Sequence, residues 1–184
     1  MALTREQVVD QAVEILDSYG MADLSMRRLG DALGVKAGAL YWHVANKQSL
    51  LAAVADRILS QVVGQQMAIA DPAAALLLWG GGLRRVLLAH RDSAELVATA
   101  LASGLCEKDP TEDPRRWLVE AGLDQQRAGW AAQAVLHLVL GHVSEEQNIL
   151  VMKQLGLLPG GASGSEGFDF ALRCLVEGIA RQLP

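Results

Sequence analysis

Apolar residues recur three and four apart along most of the chain, a spacing that predicts amphipathic helices. Val8, Val9, Ala12, Val13, Ile15 and Leu16 stripe a first helix that starts after Thr4 and ends at Tyr19-Gly20. Thr4 and Gln7 have the spacing of a capping box. Met21 and Leu24 are placed to plug a small core. Met26, Leu29, Ala32 and Leu33 share one face of a second helix, with Ser25 as its cap and Gly34 as its left-handed stop. A short third helix is expected from about Lys36 to His43, its buried edge made by Leu40 and Val44. Asn46 is a fair cap for a long helix from Lys47 to about Gln66, in which Leu50, Leu51, Val54, Ile58 and Leu59 repeat.

The helical pattern continues. Asp71-Pro72 opens a helix to about His90, with Pro at its first position and Gly80-Gly81-Gly82 inside it. Each interior glycine costs about 1 kcal/mol relative to Ala. The compensating gain is close approach by a neighbouring helix or a ligand, or a local bend. Asp92 or Ser93 caps a helix to about Ser103, and 104–114 is a loop. Asp113-Pro114 opens a helix from Arg115 to Ala121 that Gly122 stops. Asp124 caps a long helix from Gln125 to about Leu155, and 159–167 is a loop. The last helix runs from about Phe168 to Leu183. No segment alternates β-branched and polar residues as strands do, so the chain is expected to be all-α.

The 184 residues allow a small head and a larger body, placed at 1–46 and 47–184, and 51% apolar residues can fill both cores. No apolar run approaches a membrane span and no leader is evident, so a soluble, cytoplasmic protein without membrane contact is expected. Cys106 and Cys174 lack CxxC spacing and are expected as buried free thiols rather than a disulfide or metal pair. No metal or cofactor is expected.

The segment 25–47 is a helix-turn-helix pattern, whose second helix enters the DNA major groove. It carries Arg27, Arg28, Lys36 and Lys47 against Asp31, a local surplus of cations in a chain of net charge −5. Phosphate contact needs such a local excess. Ala37, Gly38 and Ala39 leave the start of the recognition helix bare enough to lie against another surface. Tyr41 and His43 can donate to phosphates, and Trp42 can pack on a sugar–phosphate edge or inside the head. A solvated helix pair is the bland alternative.

The run Leu40 to Leu51 (LYWHVANKQSLL) and the upstream LSMRRLGDALGV resemble the TetR family of transcriptional repressors, most closely its tetracycline-repressor branch. The resemblance implies a homodimeric repressor with one DNA-binding head per subunit and a helical body that dimerises and binds a small inducer. Within it, Arg27 matches an Arg that reaches a guanine edge, and Lys47 a phosphate-contacting Lys. The tip departs from the branch, whose polar amide, Pro and Thr are replaced here by Ala37, Gly38 and Ala39, so a different operator is expected. HRD (His90 to Asp92), LGHVSEEQ (Leu140 to Gln147) and the final helix also resemble the branch. The last two helices carry surplus apolar surface, expected either as core or as a four-helix interface between two subunits.

The inducer site departs further. The branch's metal-binding His falls on Val97 and its polar amide near Trp79, so the metal half of the site is lost, although Glu145 stands where the branch has a carboxylate. Tetracycline is therefore an unexpected ligand. Trp79, Leu83, Val97, Trp117, Trp130, His137 and Met152 are the candidate lining of a site for a small apolar or aromatic molecule, or core filler. His137 and His142 lie about 140° apart on a helix and do not suit one metal. A helical enzyme is disfavoured, since no HExxH, paired ExxH, phosphate loop or nucleophile elbow occurs. The expected protein is a dimeric repressor that binds a palindromic double-stranded operator and leaves it when the ligand binds. The alternative is a DNA-binding regulator without an inducer.

Overall fold

The structure is a computed structural model that describes residues 3–62, 71–159 and 165–184. Among them there is no strand, and the chain is all-α as expected. Nine α-helices follow in order among the described residues: α1 Arg5–Tyr19, α2 Met26–Leu33, α3 Ala37–Leu40, α4 Lys47–Leu59, α5 Pro72–Leu88, α6 Ser93–Ala102, α7 Glu112–Glu120, α8 Gln125–Gln154 and α9 Glu166–Ala180. No described helix is long and apolar enough to cross a membrane.

Local chemistry places most boundaries. Thr4 and Gln7 form both halves of the capping box on α1. Ser25 accepts from the Arg28 N–H, Asn46 from Ser49, and Asp124 from Gln126 and Arg127. Gly34 ends α2 in the left-handed conformation at φ 67°. Other boundaries differ from expectation. α4 ends at Leu59 rather than near Gln66, which lies outside the described residues. The Ser60 hydroxyl donates to the Arg57 carbonyl, and the Gln61 N–H closes a tight turn onto Ile58. α7 begins at Glu112 instead of Arg115, because Pro114 then sits in the first turn, where its missing N–H has no intrahelical partner to lose. α3 is one turn long, and 41–43 follow it as turns.

The chain divides into two compact units. One takes in Met1–Gln61 and Leu87–Lys108. In it α1 packs on α2 and α4, and α4 on α6. Val8, Ala12, Leu16, Leu29, Leu40, Leu50, Val54, Ile58, Leu96 and Val97 are fully buried there. The turn before α6 is tied to the end of α1. The Asp17 carboxylate takes His90 Nδ1 at 3.0 Å and the Arg91 N–H at 3.3 Å. Asp92, at φ 52°, does not cap α6 with its side chain, contrary to one of the two expected caps. Its carboxylate instead accepts the Met21 N–H at 2.8 Å.

The other unit takes in Val62–Val86 and Asp109–Pro184. Here α7 packs on α8, and α8 on α9. A Cβ on Gly80 would stand 3.0 Å from Leu172 and 3.5 Å from Val135, so this glycine lets α5 lie close against α8 and α9. Gly81 and Gly82 face open space. Arg84 makes a two-pronged pair with Glu146, at 3.0 and 2.7 Å, and lies over the Phe168 ring. Both partners are mostly buried, and His142 meets the same ring edge-on.

Candidate nucleic-acid interface

The recognition segment is held from below and bare above. Leu40 is fully buried and Val44 nearly so, which anchors the end of α3 and the turn that follows it. Gly30 makes the tight junction possible, since a Cβ there would stand 2.9 Å from the Val35 carbonyl oxygen and 3.2 Å from the Ala37 nitrogen. The Val35 N–H closes the turn onto the Gly30 carbonyl at 2.9 Å. With those anchors set, the intervening side chains point outward. Trp42 is 90% exposed and Tyr41 52%. The alternative in which Trp42 packs inside the head is therefore excluded. Gly38 and Ala39 are exposed, while Ala37 and His43 are half-buried.

The cations separate into two groups. Arg28 is committed internally: its guanidinium reaches Asp23 at 2.6 Å and lies 4.3 Å over the Tyr19 ring. This pairing fixes the turn ahead of α2 and removes Arg28 from the expected local surplus. Arg27, Lys36 and Lys47 are exposed. Arg27 extends from the first turn of α2, Lys36 stands just before α3, and Lys47 opens α4. Three exposed positive side chains thus belong to the segment that carries the bare helical tip and the outward indole, and such a segment can neutralise phosphates and lay apolar groups against a base edge.

The residues put forward for a ligand site fall in both units. Val97 is fully buried on α6 in the first unit. In the second unit, Trp79 and Leu83 lie one turn apart on the buried face of α5, and Trp117 is half-buried on α7. Trp130 is 64% exposed and His137 is exposed. They share an outward strip of α8, opposite Ala132 and Val139, which are fully buried. His137 is bonded to Gln133 at 2.9 Å on that strip. Met152 is exposed near the end of α8. The outward position of Trp130 and His137 follows from helix phase, which outweighs their aromatic character. The two thiols also depart from expectation. Cys174 is exposed because it lies off the core-facing stripe of α9, and Cys106 is half-buried in the loop that follows α6. Burial, and then the nearby Asp56 charge, push the Cys106 thiol up to about 11.

Sequence reasoning missed the Arg84–Glu146 pair and the Tyr19–Arg28–Asp23 stack. The pair Arg84-Arg85 on a helix that is otherwise without charge was the available signal for the first. The second pairs residues across a turn and leaves no periodic trace.

Comparison with known proteins agrees with this geometry. Residues 8–54 match the bacterial regulatory proteins of the tetR family, and 71–162 match the tetracyclin repressor-like C-terminal domain. The class D tetracycline repressor protein of Escherichia coli is 36% identical over 149 residues, covering 79% of this chain and 67% of that protein. The crystal structure of Mycobacterium smegmatis BioQ superposes with a TM-score of 0.90 at 40% identity, covering 98% of this chain and 99% of that one. BioQ with its natural double-stranded DNA operator superposes with a TM-score of 0.82 at 38% identity, covering 97% and 99%.

Proposed function

The chain belongs to the tetR family of bacterial regulatory proteins, and from that premise we propose that it is a dimeric repressor of a palindromic operator. It is a regulator and not an enzyme. The observation that carries the operator reading is the 90% exposure of Trp42 above the buried anchor Leu40. Trp42 and the adjacent Tyr41 are exposed together, an aromatic patch suited to docking on a partner. The surrounding Arg27, Lys36 and Lys47 make a polyanion the fitting one. BioQ, 38% identical, has been crystallised on its double-stranded operator, which supports the same partner class here. Arg27 reads a guanine edge, Ala37, Gly38 and Ala39 offer apolar contact, and Tyr41, Trp42, His43, Lys36 and Lys47 hold the sugar–phosphate backbone.

The second copy docks on the outward strips of α8 and α9. Trp130, His137 and Gly141 lie on one strip, and Phe170, Cys174 and Gly178 on the other. A Cβ at Gly141 or Gly178 would meet nothing within 4 Å of its own chain. Helix-interior glycines without an internal neighbour suit close approach by another helix. Trp130 and His137 therefore go to the subunit interface in this reading. An apolar effector is held in the second unit by Trp79, Leu83 and Trp117, with Met152 at its margin. It acts by preferring a dimer whose heads no longer match the operator, to the extent of its differential affinity for the two states. Val97 and Trp79, in place of polar ligands, argue against a metal–tetracycline complex.

Selection of duplexes from a random pool, followed by a small-molecule screen for release, tests the operator and effector parts in turn. Sedimentation of Gly178→Arg tests the dimer: a monomer with unchanged helical content is expected, and an intact dimer would remove α9 from the interface.

A further inference from the structure

We infer that the effector of this chain is a neutral aromatic molecule with a carbonyl-type acceptor, and that Arg84 holds that acceptor with the guanidinium edge that Glu146 leaves free. This rests on the effector-binding reading and names the chemistry of the effector's polar end.

α5 carries no charge other than Arg84 and Arg85. Arg85 is exposed to solvent. Arg84 is not: only 16% of its side chain is exposed, and it stands one turn beyond Gly80, the glycine that lets α5 lie close against α8 and α9. A buried ion pair adds little stability over well-packed apolar side chains of similar volume. Stability alone therefore does not account for a guanidinium here. The pair is also only half used. A guanidinium carries more N–H donors than one carboxylate can take. Glu146 accepts from Nε at 3.0 Å and from Nη2 at 2.7 Å, and Nη1 has no hydrogen-bond partner among the described residues. Nor is Nη1 sealed away, since no fully buried side-chain nitrogen or oxygen among the described residues lacks a partner. This donor is open to an acceptor from outside the chain.

The surroundings select the acceptor. Glu146 already balances the guanidinium charge, and Phe168 lies under the guanidinium with its ring centroid 5.0 Å from Cζ. A second carboxylate would leave a net negative charge in a mostly buried place. A ketone, lactone or amide oxygen takes the same N–H without adding charge. Trp79 and Leu83, buried on the same helix, supply an apolar wall, which suits a flat apolar body behind that oxygen. Glu146 holds the guanidinium in plane, so its free edge is set in advance for the ligand.

The test is equilibrium dialysis of the full chain against 2-acetylnaphthalene, 2-ethylnaphthalene and 2-naphthoate, which share one ring system and differ in a single substituent. The wild type is expected to bind the ketone about tenfold or more tightly than the ethyl compound, the scale of one hydrogen bond to a charged group. It should also prefer the ketone to the carboxylate. In the double variant Arg84→Met with Glu146→Leu, shown to be folded by its helical content and melt, the ketone should lose that advantage while the ethyl compound binds as before. A pair that only supports the fold would shift all of the ligands together. If the double variant does not fold, Arg84→Lys keeps the charge but not the planar fork, and should lose most of the same advantage. Equal binding of ketone and ethyl compound by the wild type overturns the inference and leaves the effector reading standing. So does a full ketone advantage in the folded variant, and so does tighter binding of the carboxylate. If none of these ligands binds, the inference falls together with the effector reading, a distinct outcome.

Discussion

Replacing Trp42 by alanine should separate binding from stability by a margin that the geometry sets. A tryptophan side chain offers up to about 250 Å². At 90% exposure only about a tenth of it is withdrawn from water in the free head. That is roughly 25 Å², or about 0.6 kcal/mol at ~25 cal/mol per Å². For a chain of this size such a loss lowers Tm by about 1–2 °C. If docking covers roughly 100 Å² of the indole, the same coefficient gives about 2.5 kcal/mol, or roughly sixtyfold in Kd. The assay is a fluorescence-anisotropy titration of the selected duplex over a range of salt, paired with thermal melts. Because the indole is uncharged, the salt slope of log K should stay at its wild-type value, whereas Lys47→Ala should reduce it by about one. Unchanged affinity in Trp42→Ala would refute the reasoning. So would a Tm loss of the size expected for a core residue, since Trp42 would then be holding the head together.

Further outcomes follow from the second unit and from Cys106. Glu146→Ala should destabilise by about 2–4 kcal/mol in urea, because it leaves the Arg84 charge buried and unpaired, while the double substitution Arg84→Met with Glu146→Leu should recover most of the loss. Gly80→Val should cost about 1–3 kcal/mol through overpacking on Leu172, whereas Gly81→Ala, in open space, should stabilise by roughly 0.5–1 kcal/mol. Equal signs at 80 and 81 in urea melts would contradict the close approach. With the Cys106 thiol pushed up to about 11, the thiolate is scarce at pH 8, so iodoacetamide should leave Cys106 unmodified in the native chain. Its alkylation rate should climb as pH rises towards 11, and rapid labelling at pH 8, read by peptide mass, would contradict the burial.

The parts of the fold that were legible are those decided by neighbours in sequence. Thr4 with Gln7, Ser25 and Asn46 each cap through a contact three residues away, and Asp124 through contacts two and three residues away, so their chemistry is local. The recognition segment was legible for the same reason, with Leu40 and Val44 fixing which residues turn outward. What escaped was decided at a distance. The carboxylate of Asp92 can cap its own helix or reach Met21, and only the folded chain makes the second partner available. Arg84 reads as a surface residue until Glu146, 62 positions later, is brought against it. Aromatic character groups Trp130 and His137 with Trp79, but their phase on α8 turns them away from that unit's core.

The most direct measurement is enrichment of random duplex DNA by the full chain, with the mass of the recovered complex determined in solution. The account expects an inverted repeat whose half-sites are centred about one helical turn apart, carrying two protomers and bound more weakly by Trp42→Ala. No enrichment, or a single unrepeated site carrying one protomer, would contradict it.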